Sequence, residues 1–445
     1  MKMNFLTSTL MIPAKAGAWL TTRRLRAHGL ILALCLWSVY LWNVSSPGLR
    51  DRTGNLKGTD FLHLYTLGSL AIAHRGADLY NTDAQAKLAA ARVPAAAGIR
   101  YLPLYPPQLS ILLAPFAKLS YAWALLLWSA STAAIYSLSC YAVWRACPNL
   151  REQEFTVMIL AGAFPPFWHL ILWGQTSALA LACFTLAFLA FRSKREFLAG
   201  LAIGFLIFKP QLALASAIVL AVTLRWRVIA GAFLSSAGEL TCGWLYYGSA
   251  PLRDWVRTLL KVPEQPRWFE PKPYHTHCLR TFWTMLIPWN SVALTLYLIS
   301  AALVCFLAIA CWRSRLPLPL RYSALLFATV LIAPHLTVYD LVILAPAFLL
   351  LADWLVACPE SHLKSRFTLL LYLTFVLPLI GPLARWTHFQ SSVPVMALIV
   401  FEIWKLIGES ASISDPAEVK MGRTGIAKPP ESVPPTPLRY AFRHP

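Results

Sequence analysis

The chain reads RRLRAHGLILALCLWSVYLWNV over residues 23–44, a short basic cluster followed directly by an apolar run. No small-residue cleavage site follows this run, so it predicts a retained first membrane span rather than a secretory signal peptide. The same alternation continues along the chain. Of its 445 residues 58% are hydrophobic and only 13% are charged, whereas soluble domains are about a quarter charged. The composition therefore predicts an all-α polytopic membrane protein.

The basic residues predict the orientation of these spans. The formal net charge is +20, but the Lys and Arg side chains lie in short loops between apolar runs rather than in a basic domain. This distribution argues against nucleic acid as a partner. Short basic loops mark the cytoplasmic face of a membrane protein. The clusters lie at 23–26, 192–195, 225–227, 313–321 and 364–366.

Twelve apolar runs predict about twelve transmembrane helices. They lie near 29–47, 121–146, 154–173, 175–191, 197–209, 211–224, 228–247, 289–311, 321–335, 340–357, 367–385 and 393–407. An even number places both termini and every basic cluster in the cytoplasm. The apolar piece at 108–118 is short for a span, which needs roughly 20 residues, so it predicts a re-entrant or kinked segment around Pro115. Because this segment and the short runs could each be counted as a span or not, the predicted number of transmembrane helices ranges from 11 to 13.

The predicted organisation has three parts. A basic cytoplasmic N-terminus covers residues 1–28, a transmembrane domain covers 29–407, and a Pro-rich, disordered cytoplasmic tail covers 408–445. The membrane domain contains two long polar loops at 48–106 and 248–285, which this topology places outside the cell.

The first of these loops predicts an amphipathic helix lying along the membrane surface, with Gly76 as its C-terminal cap. Its apolar face is predicted to carry Phe61, Leu64, Tyr65, Gly68 and Ile72. Asp60 stands where this helix begins. Aspartate is a favoured N-cap, but a carboxylate at the outer surface is also a candidate general base for a hydroxyl acceptor. The local sequence leaves both interpretations open.

Lys209 lies at membrane depth in LIFKPQL, beside a proline break between two short apolar runs. A charge at this depth is costly and predicts a functional residue. Its ammonium group would either bind a phosphate or pair with Glu239, which lies in the middle of another predicted span.

Further polar candidates fall on the predicted outer face. Gln175 lies in WGQT and Tyr105 in LYPP, while PHLTVYD places His335, Tyr339 and Asp340 in one short turn. Three of them have a purely structural alternative: Tyr105 as an interfacial aromatic, Gln175 and His335 as hydrogen-bonding groups at helix ends. Convergence of three polar groups between two apolar spans slightly favours a site.

His275 and His277, in YHTHC, superficially resemble a metal-binding pair. No further His or carboxylate follows at metal-ligand spacing. We therefore predict no metal and no cofactor.

The order of these pieces resembles glycosyltransferase family 87 over roughly residues 29–357. The resemblance rests on an Asp after the first span, Gly76-x-Asp78-Leu79-Tyr80, Tyr105-Pro106-Pro107, Gly174-Gln175, Lys209-Pro210, Pro334-His335 and Tyr339-Asp340.

The resemblance implies a GT-C fold and a hexosyltransferase, mannose being the implied sugar, in a bacterial plasma membrane. Its donor would be a polyprenyl-phosphate sugar and its acceptor a lipid-linked or glycan hydroxyl on the extracytoplasmic side. Asp60 matches the family's catalytic Asp, a general base in an inverting transfer. Lys209, His335 and either Arg267 or Arg280 are candidates to stabilise the donor phosphate, beside the predicted substrate contacts from Gln175, Tyr105, Tyr339 and Asp340.

Two other functional classes are weighed against this one. A lipid transporter or flippase explains the spans and the intramembrane charges, but transporters commonly show repeat symmetry, and the sequence shows no repeat. A non-catalytic membrane scaffold explains the composition but not the clustering of polar residues on the outer face.

Overall fold

The structure is a computed structural model that describes residues 17, 19–261 and 272–413. Over these residues every regular element is helical, and extended backbone pairs only in two isolated β-bridges. The first ten helices are α1 (Thr22–Val44), α2 (Thr59–Ile72), α3 (Thr82–Arg92), α4 (Pro107–Ala117), α5 (Tyr121–Trp144), α6 (Glu154–Gly162), α7 (Pro165–Trp173), α8 (Ser177–Arg192), α9 (Glu196–Gly204) and α10 (Pro210–Val222). They are followed by α11 (Trp226–Tyr247), α12 (Ser249–Lys261), α13 (Leu279–Leu286), α14 (Asn290–Arg313), α15 (Leu318–Ile332), α16 (Ala345–Ala357), α17 (His362–Ile380), α18 (Ala384–Thr387) and α19 (Ser392–Ile413).

Six of the described helical stretches are long and apolar enough to cross a membrane. They are α1, α5, α11, α14, the stretch Val338–Ala357 and the stretch His362–Thr387. The pair formed by Pro148–Gly162 and Pro165–Trp173, bent by 45°, is a seventh if its two arms make one span. The chain is therefore an all-α polytopic membrane protein. Helices cover most of each of the twelve predicted apolar runs. Several of these helices are too short to cross a membrane by themselves, so the number of transmembrane spans stays a prediction.

The short helix α4 has eleven residues and is about 16 Å long. The hydrocarbon core of a bilayer is about 30 Å thick, so α4 alone is too short to cross it. It packs instead against α2 and α11. Pro115 falls in its last turn and leaves the helix intact to Ala117.

The prediction of a surface helix over α2 is wrong. Every residue from Phe61 to Ala71 is buried, and only Ile72 at the end of the helix is exposed. The cause is close packing: a Cβ on Gly68 would stand 2.5 Å from the carbonyl oxygen of Leu113, so the missing side chain lets α4 approach. Gly76 is not the helix cap, since α2 ends at Ile72 and Gly76 begins a separate 3₁₀ turn.

Two helices extend into the predicted terminal segments. Helix α1 begins at Thr22, inside the predicted cytoplasmic segment 1–28. Helix α19 continues to Ile413, six residues into the segment predicted to be disordered from 408. Residues 414–445 lie outside the described part of the chain.

Helix α15 is the centre of the core, with every side chain from Tyr322 to Ile332 buried. It packs against α10, α14, α16 and α19. The Tyr322 hydroxyl donates a 2.6 Å hydrogen bond to the carbonyl of Phe184 and ties α15 to α8. The chain leaves α15 into residues 333–344, here called the outer strap, whose second half is the 3₁₀ helix Val338–Leu344. A rigid core helix therefore leads directly into the predicted site segment.

Candidate active site

A cavity of about 810 Å³ lies among the C-terminal end of α1, the start of α2, the end of α7 and the outer strap. Its walls include Asp60, Trp168, Trp173, Lys272, His275, His335, Thr337 and Tyr339. The first polar loop and the outer strap, some 275 residues apart in the sequence, therefore face one space.

Asp60 does not cap α2. The N-cap is Gly58, at φ 64°, and Asp60 is the second helical residue, so its side chain is available for other contacts. One carboxylate oxygen, Oδ2, accepts a 2.7 Å hydrogen bond from Nε2 of Gln175. Burial raises the pKa of the Asp60 carboxyl, while the Gln175 hydrogen bond and the charges of Lys209 and Lys272 limit the rise. A carboxylate of this kind is a stronger base than an exposed one.

Gln175 reaches Asp60 because of the tight junction between α7 and α8. Gly174 ends α7 at φ 72°, and a Cβ there would stand 2.7 Å from the Cβ of Phe61 in α2. The next side chain, Gln175, donates to Asp60 and accepts a 3.0 Å hydrogen bond from Oη of Tyr105. Gln175 thus joins Asp60 to the segment that precedes α4.

Lys209 takes part in a second polar group. Its ammonium Nζ lies 2.8 Å from Oδ1 of Asp340 and 3.0 Å from Oγ of Ser177. Ser177 also donates a 2.6 Å hydrogen bond to the same Asp340 oxygen. The other oxygen of Asp340 accepts from the backbone N–H of Thr337 at 3.2 Å, as part of a capping box at the outer strap.

The predicted pairing of Lys209 with Glu239 is therefore wrong. Lys209 is 5% exposed and Asp340 is 2% exposed, and the two form a buried ion pair. The backbone break at Lys209-Pro210, between a 3₁₀ turn and α10, turns the lysine towards the start of α8 and the outer strap. Glu239 lies on α11.

The two polar groups meet at residues 174–177. Gln175 contacts Asp60, and two residues later Ser177 contacts Lys209 and Asp340. Lys209 lies behind the cavity wall, with its Nζ 5.2 Å from the ring centroid of Tyr339, and that ring lines the cavity. The sequence-predicted residues Asp60, Tyr105, Gln175, Lys209, Tyr339 and Asp340 therefore form one connected cluster.

Of the two predicted arginines, Arg280 lies in the described part of the chain. Arg280 donates a 3.0 Å hydrogen bond to the carbonyl of Pro334, so it contacts the outer strap beside His335. Arg267 lies outside the described residues.

Lys272 is a cavity residue that sequence reasoning missed. The sequence offers little to single out Lys272, because it is one of several charged residues in the polar, aromatic second loop. His275 packs edge-on against Trp173, with ring centroids 5.4 Å apart. Burial and the charge of Lys272 lower the pKa of His275 to about 4, so its imidazole is neutral at pH 7.

His275 lines the cavity, whereas His277 is not among its lining residues. The Nδ1 atom of His277 lies 2.7 Å from Oγ of Ser392, and this ring is buried away from the cavity. Across the described ranges no group of three or more His, Cys, Asp or Glu side chains could hold a metal ion.

The family model for glycosyltransferase family 87 matches residues 104–334, just over half of the 445 residues. The chain belongs to glycosyltransferase family 87. Within family 87 the matched region covers Tyr105, Gln175 and Lys209, whereas Asp60 lies before it and His335 directly after it. No curated protein and no solved structure matches the chain. Family 87 membership makes the chain a glycosyltransferase, with a sugar donor and an acceptor as its substrates.

Proposed function

We propose that this enzyme transfers a hexose, with mannose as the first candidate, from a polyprenyl-phosphate donor to a hydroxyl of an envelope glycan or glycolipid. The observation that carries the proposal is that Asp60, oriented by Gln175, lines the same cavity as Lys272 and His335. A base for the acceptor, an ammonium group and an imidazole that can bind a phosphate are thus available within one space.

Asp60 is the general base in this mechanism. The acceptor oxygen attacks the anomeric carbon of the sugar while its proton passes to the Asp60 carboxylate. The bond between that carbon and the phosphate oxygen breaks, and polyprenyl phosphate leaves with the electron pair. Attack from the face opposite the leaving group inverts the anomeric configuration. The raised pKa of Asp60 brings its basicity closer to that needed near neutral pH.

Lys272 and His335 are the groups proposed to stabilise the leaving phosphate. Both line the cavity, and groups that stabilise charge developing in the transition state contribute strongly to catalysis. Lys209 has a different role here, because Asp340 already neutralises it and Tyr339 separates it from the cavity. We assign Lys209 and Asp340 the positioning of the outer strap, which carries His335, Thr337 and Tyr339.

The cavity wall also supports a lipid-linked donor. Where the cavity meets the ends of α1 and α5 its lining is apolar, with Val39, Leu125 and Leu126. Trp168 and Trp173 offer flat aromatic faces of the kind that stack on sugar rings. This arrangement suits a prenyl chain held beside a polar sugar-phosphate head. The basic loops predict that the cavity faces the extracytoplasmic side of a bacterial plasma membrane.

The test is a transfer assay with purified protein in lipid nanodiscs, radiolabelled polyprenyl-phosphate mannose or glucose, and a lipid and glycan extract of the source cell. We expect a labelled product with inverted anomeric configuration, and a loss of roughly 10²–10⁴ in rate for Asp60→Asn. Asp83→Asn, at an exposed position on α3 of the same loop, is the matched control and should retain full activity. Transfer from nucleotide sugars but not from lipid-phosphate sugars would refute the proposed donor.

A further inference from the structure

A second cavity, of about 590 Å³, lies among α1, α5, α6, α16 and α17. It shares no lining residue with the catalytic cavity. Protein interiors are normally packed with few voids larger than a water molecule, so a space of this size between helices can hold a ligand. The side chains that line the cavity indicate which kind of ligand it fits.

The two ends of this cavity differ in polarity. One end is lined by Thr21, Gln153 and Lys364, at helix ends beside the basic loops. The other end is closed by apolar side chains that include Phe164 and Phe375. Along α17, Lys364 and Phe375 are eleven residues apart, which corresponds to about 16 Å. The cavity is thus a deep apolar slot with one polar mouth.

The positive charge beside the mouth comes from Arg26, because Lys364 and Arg366 are each paired with a glutamate. The basic clusters 23–26 and 364–366, distant in sequence, come together here because α1 and α17 both begin beside the mouth. Arg26 hydrogen-bonds to Oγ1 of Thr156 at 2.6 Å and to Oε1 of Gln153 at 3.2 Å, and both partner side chains line the cavity. Both partners are uncharged, so the charge of Arg26 is not neutralised by them. Lys364, in contrast, pairs with Glu360 at 2.8 Å.

We propose that this cavity binds one acyl chain of an anionic membrane phospholipid, with the lipid phosphate beside Arg26. An apolar slot fits a hydrocarbon chain, and a basic mouth between transmembrane helices fits an anionic headgroup of the adjacent leaflet. The lipid would fill the space between α1 and the α16–α17 pair. The proposal does not depend on the transfer reaction, since it involves the opposite end of the helices from Asp60.

The test is native mass spectrometry of the full-length protein, delipidated and then mixed with palmitoyl-oleoyl phosphatidylglycerol or phosphatidylcholine. We expect one tightly held phosphatidylglycerol and at least about tenfold weaker retention of phosphatidylcholine. Leu160→Trp, which fills the slot, should lower phosphatidylglycerol retention about tenfold or more. Arg26→Gln should remove the preference between the two lipids.

Leu138→Trp is the matched control, because Leu138 is 66% exposed on α5 and does not line the cavity. It should retain phosphatidylglycerol as the wild type does. If Leu160→Trp does not fold, Arg26→Gln tests the proposal without changing the cavity volume. Equal retention of the two lipids by the wild type, or unchanged retention after Leu160→Trp, would overturn the proposal.

Discussion

Replacing Lys209 by Met tests whether the buried ion pair supports the fold. The Asp340 carboxylate would keep its hydrogen bonds from Ser177 and Thr337 but lose the ammonium group that lies 2.8 Å from it. Removing one member of a buried pair leaves an uncompensated charge, which costs about 3–5 kcal/mol. We expect the free energy of unfolding, measured by SDS titration in mixed micelles, to fall by that amount.

The double variant Lys209→Met/Asp340→Asn should recover most of this loss. An Asn at position 340 can direct its carbonyl oxygen to the Thr337 N–H and donate its amide N–H to Oγ of Ser177, so both neutral contacts are retained. No charge then remains in the buried site. Transfer activity of the double variant tests whether the Lys209 ammonium group also takes part in transfer: full recovery would leave it purely structural.

The control is Arg225→Met. The Arg225–Glu196 pair has the same 2.8 Å separation but is partly exposed, and pairs of this kind contribute about 0–1 kcal/mol. If Lys209→Met costs no more than Arg225→Met, or if adding Asp340→Asn makes the protein still less stable, the reasoning about an uncompensated buried charge is wrong.

Three further predictions concern the catalytic cavity. Gln175→Leu removes a hydrogen bond that lowers the pKa of Asp60. Because the base acts in its deprotonated form, activity is lost as the pH falls through this pKa, and the acidic limb of the pH–rate profile should move to higher pH in the variant. An unchanged acidic limb would show that Gln175 does not influence the base. Lys272→Met should lower turnover roughly 10²-fold if its charge stabilises the leaving phosphate, measured with saturating donor; a change confined to the acceptor KM would contradict this role. A cysteine at the exposed position Asn55 should react with a membrane-impermeant maleimide on intact cells, and a cysteine at the exposed position Ser193 only after permeabilisation; the reverse pattern would overturn the predicted orientation.

The cluster could be predicted from the sequence because its members are polar residues in apolar surroundings. Asp60, Gln175, Lys209 and Asp340 each interrupt or flank an apolar run, and burying such groups is costly unless they are paired. The sequence therefore indicated that these residues need partners. It did not identify the partners, since the Lys209–Asp340 contact depends on how α8, α10 and the outer strap pack together.

The burial of α2 could not be predicted from its residue pattern for a local reason. Thr66 and Ser69 look like a polar face, but their hydroxyls donate 2.8 Å hydrogen bonds to the carbonyls of Leu62 and Tyr65 one turn earlier. A side chain satisfied by its own helix can be buried. The apparent amphipathicity of α2 therefore reflects hydroxyl residues that need no water.

The Lys209–Asp340 contact also has a consequence for biosynthesis. The two residues are 131 positions apart, so at about 5–20 residues per second the ribosome delivers Asp340 roughly 7–26 s after Lys209. During that interval the short helices around Lys209 enter the membrane with a charged side chain whose counter-charge has not been made. We expect α9 and α10 to stay beside the insertion machinery until the outer strap is synthesised, so that substitutions at Asp340 reduce the yield of inserted protein even where the assembled enzyme would tolerate them.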